Sequence, residues 1–318
     1  MAHMPIRSLV TDAYALYVLA SQTIHRRVMF GTNIYERDWD LAIALDACRV
    51  DTLEAVTDEY DFIDEVSSIW SVGSTSKEWL DNTFVTDWED EVAETAMISS
   101  NPFTNQIQSR PIDYLKYPPI RDSSVRKLGD ILLPDTTLLR DDFKHFDAVW
   151  EYQESEDRRY TTPQPGEVTK RAIWAGRNVD ADRYVVHYMQ PHAPYFGNVE
   201  SGDELAEYQA NPFDALRNGV SIDTVYNEYV DNLRYVLDSI ETLLKNFDAE
   251  RVVVTADHGE LFDEYRLNGH SVGLPFPEVR KVPWVTTTAS DMKNINGHQP
   301  SKVVDTTVQA HLEELGYL

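Results

Sequence analysis

Residues 251–260 read Arg251-Val252-Val253-Val254-Thr255-Ala256-Asp257-His258-Gly259-Glu260. The four apolar or β-branched residues Val252 to Thr255 predict a short strand covered on both faces, as in a parallel sheet. The run ends abruptly in Asp-His-Gly-Glu, and in open α/β sheets ligands bind where such strands end. An adjacent carboxylate and imidazole offer one hard oxygen and one borderline nitrogen, a pairing that suits Zn²⁺ or Mn²⁺. Two residues alone define no site. A second predicted strand far upstream, Trp39 to Ala47, ends in the same way at Asp46.

Elements of the two periodicities alternate around these strands. The best helix spans 222–247, where Tyr226, Tyr229, Val230, Leu233, Val236, Leu237, Ile240, Leu243 and Leu244 recur at three and four residues. It feeds directly into the strand at 251, the helix-to-strand alternation of a parallel sheet. Further helices are predicted over 8–24, 50–57 and 303–318, and further strands over 67–74 and 183–189. Residues 100–170 are rich in Pro, Asp and Arg and read as insertions and loops. With no repeat and no long linker, the expectation is a single α/β domain over 1–318, a mostly parallel sheet flanked by helices. Met1-Ala-His-Met4 reads as an appendage ahead of a start at Met4.

The formal charge of −26 is spread along the chain, and no basic cluster exists, so a nucleic-acid partner held by a basic face is excluded. Such an excess repels itself at low salt, which points to a halophilic source. The 42% apolar content is that of a folded globule, yet no run reaches the length of a membrane span. With no leader pattern and Cys48 as the single cysteine, the expectation is a soluble, cytoplasmic chain without a disulfide framework or thiolate cluster. Oligomeric state is not legible.

Thr75 follows Gly73-Ser74, with Glu78 three residues on, a helix-start pattern. A hydroxyl at a helix N-terminus, beside a divalent metal, is acidified and made nucleophilic. Asp46, Thr75, Asp257 and His258 therefore form a candidate four-ligand set with an oxyanion beside it. Asp46 also fits a helix cap, Thr75 fits a plain N-cap, and Ser74 and Ser76 stand as alternative nucleophiles.

At this point the chain resembles the alkaline phosphatase superfamily, in its sulfatase-like branch. Leu45-Asp46-Ala-Cys-Arg49-Val-Asp51-Thr-Leu53 looks like the opening Asp-x-x-Arg-x-Asp of these enzymes. The segment from Gly73 to Phe84 is similar to the threonine-nucleophile segment of lipoteichoic acid synthases and phosphoethanolamine transferases. Asp257-His258-Gly259-Glu260, with Gly269-His270 and the sequel from Glu278 to Pro283, looks like the metal-binding strand. Pro191-His192-Ala-Pro194-Tyr195 resembles a substrate-side loop, and Glu313 to Leu318 a sulfatase-like end.

The resemblance implies a three-layer sandwich with one divalent ion, Zn or Mn, on Asp46, Thr75, Asp257 and His258. It implies Thr75 as the nucleophile toward a phosphate- or sulfate-ester substrate. His192 and His270 would face that substrate or bind a second ion, for which an Asp is not identified. Arg49 would neutralise Asp46 or contact the substrate, whereas His187, mid-strand, reads as a hydrogen-bonded core histidine. Two departures matter. Ala47 stands where many sulfatases have a second ligand, and Thr75-Ser-Lys-Glu-Trp lacks the Cys/Ser-x-Pro-x-Arg segment that becomes formylglycine. A threonine cannot form that aldehyde hydrate, which shifts the expected chemistry from sulfate toward phosphate.

Overall fold

The computed structural model describes residues 6–28, 31–107, 136–152, 162–199 and 203–299, with five single positions between 123 and 132. The expected last helix, the sulfatase-like terminus and Met1–Met4 lie outside the described residues. Seven strands form the main sheet: β1 (Leu41–Asp46), β2 (Ser67–Trp70), β3 (Thr95–Ser99), β4 (His145–Ala148), β5 (Arg183–Pro191), β6 (Ala249–Ala256) and β9 (Lys281–Ala289). Their order is β2-β9-β6-β1-β5-β3-β4. β1 is parallel to β5 and β6, and β3 to β4 and β5, while β9 runs against both of its neighbours. β7 (Leu261–Phe262) and β8 (Asn268–Gly269) pair separately.

The middle of the sheet is buried, as the unbroken Leu-Ala-Ile-Ala-Leu of β1 and the Val252-Val253-Val254 run of β6 demand. Helices flank it: α1 (Ile6–Val28), α2 (Val50–Glu54), α3 (Ser76–Thr83), α4 (Pro165–Asn178) and α5 (Ile222–Leu244). α5 buries Tyr229, Leu233, Val236, Leu237, Ile240 and Leu243 along one stripe and packs on α4 and β5.

The region 100–170 is not all loop. It carries β4 and the start of α4, hidden from the sequence because β4 is only His-Phe-Asp-Ala and has no alternating pattern. β9 is disguised by Pro283, which cannot donate to a ladder.

The end of β6 is held close to the turn before β9. The Gly259 N–H donates to the Val279 carbonyl at 2.7 Å, and a Cβ at Gly259 would lie 2.1 Å from the Glu278 carbonyl oxygen. Gly259→Ala is expected to destabilise the fold by about 1–3 kcal/mol, because backbone must separate to admit the methyl. Thermal denaturation checks this, and an unchanged midpoint would contradict the close approach.

Candidate metal centre

Register alone brings the two aspartates together. Leu45 pairs with Ala256 across the parallel β1–β6 ladder, so Asp46 and Asp257 leave the same sheet edge side by side. Asp46, Asp257 and His258 are fully buried, and their candidate ligand atoms lie within 4.8 Å of one another.

Each side chain has one atom tied down and one left over. Asp46 Oδ2 accepts from Ser76 Oγ at 2.9 Å and Asn101 Nδ2 at 2.7 Å. Asp257 Oδ1 accepts from the N–H groups of Ala47 at 3.1 Å and His258 at 2.8 Å. His258 Nδ1 lies 2.8 Å from the Gly259 carbonyl, which can only accept, so Nδ1 carries the hydrogen and Nε2 a lone pair. That lone pair sits 3.5 Å from Asp46 Oδ1 and 3.5 Å from Asp257 Oδ2. Asp46 Oδ1 is buried without a hydrogen-bond donor, and Asp257 Oδ2 has none closer than His187 Nε2 at 3.4 Å. Three electron-rich atoms facing one another in a dry site repel, and a cation between them turns the repulsion into binding. The residues fit a divalent ion.

The electrostatics agree. Burial and then the Asp257 charge push the Asp46 carboxyl well above the usual range. Burial acts the same way on Asp257, but the His258 and His187 imidazoles and the Ser76 hydroxyl outweigh it and hold that carboxyl below the usual range. His258 is pushed down by burial, the direction that favours the uncharged imidazole needed to ligate.

A second group adjoins the first. His192, Glu260 and His270 also place ligand atoms within 4.8 Å of one another. The His258 and His270 rings are 4.2 Å apart, and those of His192 and His270 5.2 Å. His192 Nδ1 faces the Ala193 carbonyl at 2.6 Å, and His270 Nδ1 faces Glu260 Oε1 at 2.9 Å. The carboxylate grouped with these two histidines is Glu260, from the segment that follows β6. Burial pushes its carboxyl up to about 7, while burial and His192 push His270 down to about 3. His270 is then neutral across ordinary pH, and Glu260 is the member that must lose a proton to ligate. Any cation held by this group should bind about tenfold more weakly per unit of pH below about 7. Metal titrations at two pH values on either side of 7 measure the slope, and a flat profile would exclude Glu260 as a ligand.

Two expected residues sit differently. Thr75 is the N-cap of α3, its extended backbone (φ −148°, ψ 157°) turning Oγ1 to accept from Glu78 N–H at 3.2 Å. The hydroxyl among the ligands belongs to Ser76, which is also 3.3 Å from His258 Nε2. Arg49 neither neutralises Asp46 nor points free. Its guanidinium is held by both Asp51 oxygens at 2.9 and 2.7 Å, by Glu264 at 2.6 Å and by the Glu260 carbonyl at 3.1 Å. Asn101 was not foreseen, and neither was Tyr229. Ala47, at φ 60°, turns the chain after Asp46, and the Tyr229 hydroxyl fastens that turn by donating to the Ala47 carbonyl at 2.7 Å and accepting from Arg49 N–H at 3.1 Å. Cys48 is buried, as a small apolar residue would be.

No protein-family model matches the chain, and no curated protein matches it. Solved structures do. The soluble domain of lipooligosaccharide phosphoethanolamine transferase A from Neisseria meningitidis matches at 13% identity and a TM-score of 0.50, covering 80% of this chain and 77% of that one. A putative sulfatase from Bacteroides thetaiotaomicron matches at 13% identity and a TM-score of 0.44, covering 87% and 70%. The periplasmic domain of EcEptC from Escherichia coli, a complex with Zn, matches at 13% identity and a TM-score of 0.42, covering 82% and 76%. The chain therefore shares the fold of the phosphoethanolamine transferase domain.

Proposed function

We propose that the chain is a metal-dependent phosphoester hydrolase or phosphotransferase whose nucleophile is Thr75. The observation that carries this reading is the buried trio of Asp46 Oδ1, Asp257 Oδ2 and His258 Nε2, which converge with no donor between the two oxygens. Two hard oxygens and an imidazole nitrogen suit Zn²⁺ or Mn²⁺, with Asp46, Asp257 and His258 as its ligands. Bound there, the ion supplies Lewis-acid polarisation and acidifies a neighbouring hydroxyl.

The chain's own residues account for the remaining steps. The first N–H groups of α3 have no preceding carbonyl to bond and favour an anion at that end. Thr75 Oγ1 bonds to phosphorus as the bond from phosphorus to the leaving oxygen breaks, the hydroxyl proton ending on the departing alcohol. Water or an acceptor alcohol then attacks phosphorus, breaks the phosphothreonine ester and returns its proton to Oγ1. His192 and His270 steady the oxygens of the transferring group. Between the two hydroxyls the choice rests on hydrogen atoms and access. The Ser76 hydrogen is given to Asp46 Oδ2 and its side chain is wholly buried, whereas Thr75 only accepts at its Oγ1 and keeps 5% exposure.

Parallel assays of an aryl phosphate, a phosphate diester and an aryl sulfate with Zn- or Mn-loaded protein test the reaction class. Phosphate-ester turnover that a chelator abolishes and metal restores is the expected result. Preferential cleavage of the sulfate would overturn the phosphate reading. Failure of the purified protein to retain any divalent metal would overturn the enzyme reading altogether.

A further inference from the structure

His187 is fully buried on β5, two strands away from β6, yet its Nε2 lies 3.4 Å from Asp257 Oδ2. Neither atom has a hydrogen-bond partner elsewhere. An unpaired buried polar atom costs about 1–3 kcal/mol, so two of them facing each other are most economically explained as a pair.

The hydrogen can be placed by following the chain of donors behind the ring. Ser99 is the register partner of His187 across the β3–β5 ladder. Its Oγ accepts the Asn101 N–H at 3.1 Å, which leaves the Ser99 hydrogen for His187 Nδ1 at 3.5 Å. With Nδ1 accepting, the imidazole hydrogen sits on Nε2 and points at Asp257. The same short segment also reaches the other carboxylate, since the Asn101 amide donates to Asp46 Oδ2 at 2.7 Å.

We propose that His187, with Ser99 behind it, is a positioning residue that aims the free oxygen of Asp257 at the metal centre. A carboxylate oxygen has two lone pairs: one takes the imidazole hydrogen and the other is turned toward the ion. The proposal rests on the metal-centre reading above.

The test uses the 318-residue protein stripped of metal and titrated with Zn²⁺ or Mn²⁺ against a chromophoric chelator. His187→Ala should weaken binding about 10- to 100-fold. His187→Gln, whose amide still presents an N–H, should recover most of that loss, and Ser99→Ala should lose several-fold. A Co²⁺-loaded sample should show an altered visible spectrum in His187→Ala and a near-native one in His187→Gln. The His187 ring packs 5.2 Å from that of Trp79, so the alanine variant carries a packing defect. The denaturation midpoints of the stripped proteins separate that defect from metal affinity, and His187→Gln with Ser99→Ala decide the matter if the alanine variant does not fold. Unchanged affinity in His187→Ala or in Ser99→Ala, or a His187→Gln affinity as weak as that of His187→Ala, overturns the proposal while leaving the centre intact. Absence of binding in the unsubstituted protein overturns the centre itself.

Discussion

Thr75→Ala should lower turnover of an aryl phosphate by roughly 10⁴- to 10⁶-fold, the scale on which removal of a covalent nucleophile acts. The fold should survive with a small loss, because the substitution also removes an N-cap worth about 0.5–2 kcal/mol. Ser76→Ala should behave differently. It removes one of two donors to Asp46 Oδ2 and leaves Asn101 in place, so metal affinity falls while a covalent phosphoenzyme still forms. Mass spectrometry of the quenched enzyme settles which hydroxyl carries the phosphoryl group. Phosphate found on Ser76, with activity retained in Thr75→Ala, would transfer the nucleophile's role to the neighbouring serine.

Asp46→Asn should separate stability from function. The amide oxygen can keep the bonds from Ser76 and Asn101, and the new NH₂ then replaces Oδ1, 3.5 Å from His258 Nε2 and close to Asp257 Oδ2. A charge that burial resists is lost, and the His258 Nε2 and Asp257 Oδ2 lone pairs that face Oδ1 gain a donor. The metal-free variant should therefore be more stable by about 1–3 kcal/mol. Its affinity for a divalent ion should fall by roughly 10³-fold or more, since one of the two anionic ligands is gone. Chemical denaturation of the stripped proteins and metal titration are the paired measurements. A variant that is both less stable and still metal-binding would contradict the convergent arrangement of ligands.

Much of this centre was visible in the sequence for a specific reason. Asp46 and Asp257 both follow uninterrupted apolar strands, and parallel neighbours in register must present their ends on one edge. Glu260 stood in the same ten residues but carried no sign of its partners, because His192 and His270 reach it from separate loops. His187 was legible as buried, though not as a neighbour of Asp257. That contact exists only because β1 is the one strand between β5 and β6, and strand order is not written in local periodicity. Ser76 and Thr75 differ by one position, a difference that helix-start patterns do not resolve. β3 supplies Ser99 and leads into Asn101, and it went unread because Thr-Ala-Met-Ile-Ser is short and weakly patterned.

The place of β1 and β6 in the sheet also bears on how an ion would leave. β1 is paired on both sides by β5 and β6, and β6 by β1 and β9. Asp46 is the last residue of β1 and Asp257 directly follows β6, so the backbone of each carboxylate is anchored by an interior strand rather than by a free loop. Interior strands of this kind open with free energies close to that of global unfolding. A chelator should therefore strip the folded protein more slowly than the unfolding protein.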